Sequence, residues 1–159
     1  MGVKVITPAA QQIPTADLRA HCRIGTDEDA LLIGFLAGAV GHAEHYTQRS
    51  IGSQTLELAL DEFPTGSIEL LRGPVTSITS IKYIDVSGVE QTLSNTLYTL
   101  DDYGLKAWAV PAFETDWPVT KAVANAVKVR YVAGDAKISL ITANSGGAVV
   151  TLAWYASGP

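Results

Sequence analysis

Two stretches constrain the fold more than anything else in the chain: QTLELAL at residues 54–60 and VKVRYVA at residues 127–133. In the first, Leu56, Leu58 and Leu60 share one face and Glu57 lies on the other. In the second, Val127, Val129 and Tyr131 alternate with Lys128 and Arg130. A period of two sends successive side chains to opposite sides of a strand, so each stretch has one apolar and one polar face. Such strands call for a sheet buried on one side, the usual state of antiparallel pairing. SIELL (67–71) and YTLDDYGLKAWAVPA (98–112) have the same β character.

Upstream the spacing is helical. Thr15 is a good N-cap for a short helix over Ala16 to about Arg23, with Asp17 in its first turn and Gly25 ending it. Thr26 opens a second helix, with Asp27, Glu28 and Asp29 where the helix dipole favours acids. Leu32, Phe35, Leu36, Ala39, Ala43 and Tyr46 follow at helical spacing toward Arg49. Gly34, Gly38 and Gly41 each weaken that helix by about 1 kcal/mol relative to Ala, which suggests that another backbone packs closely there. Residues 1–14, with Val3 and Val5 before Pro8 and Pro14, read as an extended arm. The expected class is therefore α+β: N-terminal helices (about 15–24 and 27–50) followed by a mainly antiparallel β region. At 159 residues the chain is expected to form a single domain.

The stretch RGPVTSITSIKYIDVSGVEQTL (72–93) is ambiguous by spacing, because Val75, Ile78, Ile81 and Ile84 recur every third position. Pro74 and the density of Ile, Val, Thr and Ser exclude a helix. Val75–Thr79 reads as an approach, and Ser80–Val86 pairs with Val89–Leu93 across a Ser87–Gly88 turn. The spacing of three then marks a bulge near Thr79, where the buried face changes over. The last segment, AKISLITANSGGAVVTLAWYASGP, stays open on propensity. Its β-branched residues and Gly146–Gly147 fit a hairpin, while Ile138, Ile141, Val149, Leu152 and Ala153 fit a helical face with Asn144 or Ser145 as cap.

Catalytic constellations do not emerge. His42 and His45 flank Glu44 on the long helix, but the order His-Ala-Glu-His is not a zinc motif and lacks a third ligand. His21 and Cys22 are helix neighbours that point about 100° apart, so Cys22 reads as a small core residue. Asp61–Glu62 and Asp101–Asp102 sit at strand ends as loop acids, and NSGGA lacks the lysine and spacing of a phosphate loop. There is no Gly-x-Ser-x-Gly. Trp108, Trp117 and Trp154 serve cores and interfaces more often than ligands. No cofactor or metal is expected.

Bulk properties narrow the classes further. Hydrophobic residues make up 47% and charged residues 17%, which is a globular and not a disordered composition. A net charge of −5 without a basic stripe argues against phosphate-backbone binding as the main role. A single cysteine excludes an intramolecular disulfide, MGVKVITPAAQQIP lacks a signal-peptide core, Ile6 breaks the myristoylation pattern, and no run of 18 apolar residues suggests a membrane span. A reducing cytoplasm is the expected site of synthesis.

The order of segments carries a resemblance. ITPAAQQIPTADLRAHCRI, TDEDALLIGFLAGAVGHAEHYTQRSI, QTLELALDEFP, IELLRGPVTSITSIKYIDVSGVEQTL and VKVRYVAG in succession resemble the phage head–tail connector (adaptor) proteins, the gp6-like and phiE125 gp8 group. The likeness covers Ile6 to Gly134. Beyond it, Trp154–Tyr155 match the aromatic pair near the end of the family's C-terminal helix, whereas Gly146–Gly147 depart from the pattern. The resemblance implies a C-terminal helix and a non-enzymatic virion protein. It implies a dodecameric ring beneath the portal, assembled in the host cytoplasm and located in the head–tail neck of a phage or gene transfer agent.

The implied partners are the portal protein, a stopper or tail-completion protein and other copies of the chain, with DNA passing through the channel without sequence-specific contacts. Portal contact falls to the 135–159 segment, with Val149, Val150, Leu152, Trp154 and Tyr155 as candidates. Ile81, Tyr83, Ile84, Val86, Tyr103, Trp108 and Trp117 are candidates for subunit or tail contacts. A small ligand- or carbohydrate-binding module that uses the tryptophans, or a non-catalytic assembly factor, is the alternative.

Overall fold

The computed structural model describes residues 1–135 and, as backbone pairing, the strands Ile138–Thr142 and Val150–Trp154. The element order is β1 (Gly2–Thr7), α1 (Thr15–Cys22), a 3₁₀ turn (Thr26–Glu28), α2 (Asp29–Thr47), β2 (Gln54–Leu60), β3 (Ile68–Leu70), β4 (Val75–Ile84), β5 (Glu90–Leu93), β6 (Tyr98–Asp101), β7 (Ala107–Pro111), β8 (Val127–Ala133), β9 (Ile138–Thr142) and β10 (Val150–Trp154). Every strand pairing is antiparallel. The α+β class read from the sequence is the class observed.

The main sheet has the order β1-β2-β8-β4-β5, and a smaller sheet has the order β3-β7-β6. The alternation seen in β2 and β8 is realised: Leu56, Leu58, Val127, Val129 and Tyr131 are all fully buried. Ile68, Leu70, Ala107 and Ala109 of the smaller sheet join Val75, Ile81 and Leu93 in the same cluster, so the core lies between the two sheets. The polar faces meet in matched pairs. Arg130 stands opposite Glu57 and donates to it at 2.7 Å, while Glu90 bridges the like charges of Lys82 and Lys128, which are cross-strand neighbours.

The period of three in residues 72–93 has the expected cause. β4 shifts register against β8 between Val75 and Ser77 and again between Ile78 and Ser80, so Thr76 and Thr79 are bulged out. What the sequence divides into approach and strand is one ten-residue strand. The arm expected at 1–14 is structured further than its sequence indicates: Gly2–Thr7 adds an edge strand to β2.

The helix ends differ in detail. Pro14 precedes α1 without a side-chain cap, and Arg23 and Gln48 close α1 and α2 in the left-handed conformation, in place of Gly25 and Arg49–Ser50.

The C-terminal helix implied by the family resemblance is not what the backbone forms. β9 and β10 pair with Thr142 opposite Val150 and Ile138 opposite Trp154. Ile138, Ile141, Thr142, Val150 and Thr151 are β-branched, and their preference for extended backbone outweighs the helical spacing of the apolar set. Gly146–Gly147, Val149 and Tyr155 lie outside the described residues.

Candidate functional site

The largest unburied apolar element is α2. Its sequence from Ala30 to Ala43 carries no Asp, Glu, Lys or Arg and one polar side chain, His42, so it has no polar face to turn to solvent. Yet Leu32 is its one buried residue, while Phe35 is 66% and Tyr46 84% exposed. The three glycines expected to admit a close backbone have open space around them: a Cβ at Gly34, Gly38 or Gly41 would meet nothing within 4 Å.

Two polar clamps hold the helix in place. Near its start, the Arg19 guanidinium grips Asp29 with two contacts at 2.7 and 3.1 Å, which ties α1 to α2. Near its end, Glu44 Oε1 accepts from the Ile51 amide at 2.8 Å and from Gln54 Nε2 at 3.2 Å, which ties α2 to β2.

A second surface is the β4–β5 hairpin tip. Asp85 accepts from the backbone amides of Val89 and Ser87 and from Gln91 Nε2, all at about 3 Å. Those donors, Val89 foremost, hold its carboxyl below the usual carboxylate range. Gly88, at φ +88°, makes the turn feasible. The tip presents Val86, 67% exposed, and Val89. Next to it the loop 112–120 exposes Phe113 and Val119, while the loop 102–106, beside Gly73 at the far end of β4, exposes Tyr103 and Leu105.

A third feature is a cleft of about 390 Å³ lined by Phe63, Pro64, Pro111, Trp117, Pro118 and Val119. Trp117 stacks on Phe63 with centroids 5.0 Å apart, and Phe63 meets Tyr83 edge-on at 5.8 Å. The indole N–H is already committed to the Gly66 carbonyl at 2.7 Å, so this tryptophan braces a loop and does not offer a donor to a ligand.

The sequence-predicted residues divide accordingly. Val86 and Tyr103 are at the surface, while Tyr83, Ile84, Trp108 and Trp117 are half-buried. Ile81 is fully buried between Leu93 and Val129 and serves the core, not a surface. Val150, Leu152 and Trp154 fall on β10. Cys22, expected in the core, is exposed, because α1 buries none of its residues.

His42 and His45 are exposed on α2, and Glu44 between them is spent on Ile51 and Gln54. Among the described residues no three His, Cys, Asp or Glu side chains cluster as a metal site would require, and no helix is long and apolar enough to cross a membrane. Asp101 accepts the Tyr103 amide two residues on, in the manner of a turn-forming acid, and Asp61 accepts the Asn125 amide across two distant loops. Leu105, Phe113 and Val119 were not legible as surface residues, since nothing in their neighbourhood distinguishes an exposed apolar loop residue from a buried one.

No protein-family model and no curated protein matches the chain. Solved structures do. The chain is similar to one in the neck of an empty gene transfer agent (GTA) particle computed with C6 symmetry, with 25% identity over 86% of this chain and 72% of that one, and a TM-score of 0.72. A chain in the virion of a native GTA particle is 24% identical over 86% and 73%, with a TM-score of 0.73. A third, in the neck of a native GTA particle computed with C12 symmetry, is 23% identical over 86% and 71%, with a TM-score of 0.67. The shared architecture spans most of both chains.

Proposed function

We propose that this chain is a non-catalytic head–tail adaptor, which forms a ring beneath the portal, extends the DNA channel and joins the head to the stopper or tail. The observation that carries the reading is the likeness to a GTA neck chain over 86% of this chain at 25% identity. The bareness of α2 supports it independently. A 19-residue helix with one buried side chain and no polar side chain between Asp29 and His42 is costly in water, and a neighbouring subunit would cover it. A twelve-membered ring is compatible with neighbours computed in C12 and in C6, since a twelvefold axis contains a sixfold one.

In this reading the chain resides in the virion neck after assembly in the host cytoplasm. The net charge of −5 suits a channel through which DNA slides without sequence-specific contacts. Val149, Val150, Leu152, Trp154 and Tyr155 are the candidates for the portal side. Val86 and Tyr103 are the strongest of the candidates for subunit or tail contacts, because both are free of the core.

Antibody labelling of purified particles tests the assignment. Label at the head–tail junction is expected, and label on the capsid shell or the distal tail, or none on particles, would contradict it.

A further inference from the structure

The C-terminal end of α2 borders a cleft of about 520 Å³ that includes Val3, Arg49, Leu70, Arg72, Leu105 and Lys106. Arg49 and Arg72 are backbone neighbours in a parallel bridge, and the Ser50 amide donates to the Arg72 carbonyl at 3.2 Å, so two guanidinium-bearing backbones are fixed side by side. Lys106 already pairs with Glu69 at 2.7 Å. The cleft therefore carries three cations against one carboxylate, in a chain of net charge −5. Among the described residues, neither Arg49 nor Arg72 is in an ion pair.

The complementary charge lies at the other end of the same helix. Asp29 is taken by Arg19, but Asp27 and Glu28 are exposed and in no ion pair among the described residues. Leu31, 53% exposed, follows Glu28 by three positions and lies on the same side of the helix start. At about 1.5 Å per residue, the 19 residues of α2 hold these two ends about 28 Å apart. A single copy cannot bring its own acids to its own cleft.

We propose that the cleft receives the Asp27–Glu28 end of α2 from a second copy of this chain. The two carboxylates meet Arg49 and Arg72, and Leu31 meets the exposed Leu105 and the half-buried Leu71. An acid at one end of a rigid rod and a basic cleft at the other give a heterologous contact, which propagates head to tail and closes by rotation. Phosphate of the channel DNA is the competing occupant. The apolar wall formed by Val3, Leu71 and Leu105 favours a protein segment over a nucleic acid backbone.

This contact rests on the ring reading above, and the test separates the two. Purified chain is mixed with its portal, and rings are counted by electron microscopy for the wild type, for R49E/R72E and for D27R/E28R, with circular dichroism to confirm folding. Each variant alone is expected to lose at least tenfold in ring occupancy. An equimolar mixture is expected to recover it, since the reversed helix start fits the reversed cleft and the unaltered start fits the unaltered cleft. If R49E/R72E misfolds, R49Q/R72Q supplies the single-variant loss.

Rings of wild-type abundance from either variant alone, or no recovery from the mixture of two folded variants, would overturn the contact and leave the ring reading standing. Intact rings whose only defect is weaker DNA retention would assign the cleft to phosphate. A bare portal with wild-type chain would remove the ring reading and this contact together.

Discussion

At the level of single residues, the most informative side chain is Tyr131. It is fully buried in β8, and its hydroxyl donates to the Leu71 carbonyl at 2.8 Å. Burial pushes its phenol up to about 12, a shift that Arg72 and the Leu71 bond only partly oppose. Folding thus favours the protonated form. Between the ordinary tyrosine value of about 10 and about 12, the unfolded chain loses this proton while the folded chain keeps it, so stability falls as pH rises through that window. Y131F is expected to flatten this alkaline loss and to cost about 1 kcal/mol at neutral pH for the unmade hydrogen bond, both readable from urea melts across pH.

Gly134 is a second such position. At φ +100° it donates its amide to the Pro74 carbonyl at 2.7 Å, and a Cβ there would run into the Gly52 carbonyl oxygen. G134A is expected to cost more than about 1 kcal/mol from backbone strain alone, with the steric contact adding to it, again by urea melt. The alternation around Tyr131 was legible in the sequence. The need for glycine at 134 was not, since it depends on a carbonyl more than eighty positions away.

At the level of elements, what could be read was what local pattern determines. β2 and β8 follow from alternation, and the β4–β5 hairpin follows from Pro74, the β-branched run and Ser87–Gly88. The edge strand β1 is not legible as a strand in the sequence, because six residues with two valines are ambiguous until β2 is there to pair with. The β9–β10 pairing follows β-branched propensity, whereas the family likeness points to a helix there.

The hairpin tip gives a pH prediction of the opposite sign to that of Tyr131. Asp85 has a lowered value, so its contribution is present above the ordinary 3.8 and is lost as pH falls through its folded value. Acidification below about 4 is expected to weaken the Ser87 and Val89 amide hydrogen bonds before the sheet melts. NMR amide shifts of those two residues, against unchanged shifts in β8, would register this.

Helix α2 gives another prediction. E44A removes the carboxylate that binds the Ile51 amide and Gln54. Hydrogen bonds to a charged acceptor contribute about 1.5–3 kcal/mol, so hydrogen exchange should quicken across residues 29–47 and stay unchanged in β2 and β8.

At the level of the whole molecule, two sheets enclose the core and the longest helix stays outside it. The apolar composition of α2 was visible in the sequence, but its exposure was not: an all-round apolar helix is ordinarily buried in its own domain, and nothing local marks this one as lying outside the core. The order His-Ala-Glu-His, by contrast, was legible as no zinc motif, and Glu44 is found bonded to Ile51 and Gln54.

Assembly is tested most directly by electron microscopy of the purified chain mixed with its portal, with rotational symmetry taken from end-on views. A closed ring of twelve copies seated on the portal, with α2 covered by the neighbouring subunit, is the expected result. A portal left bare, with the chain monomeric at high concentration, would contradict it.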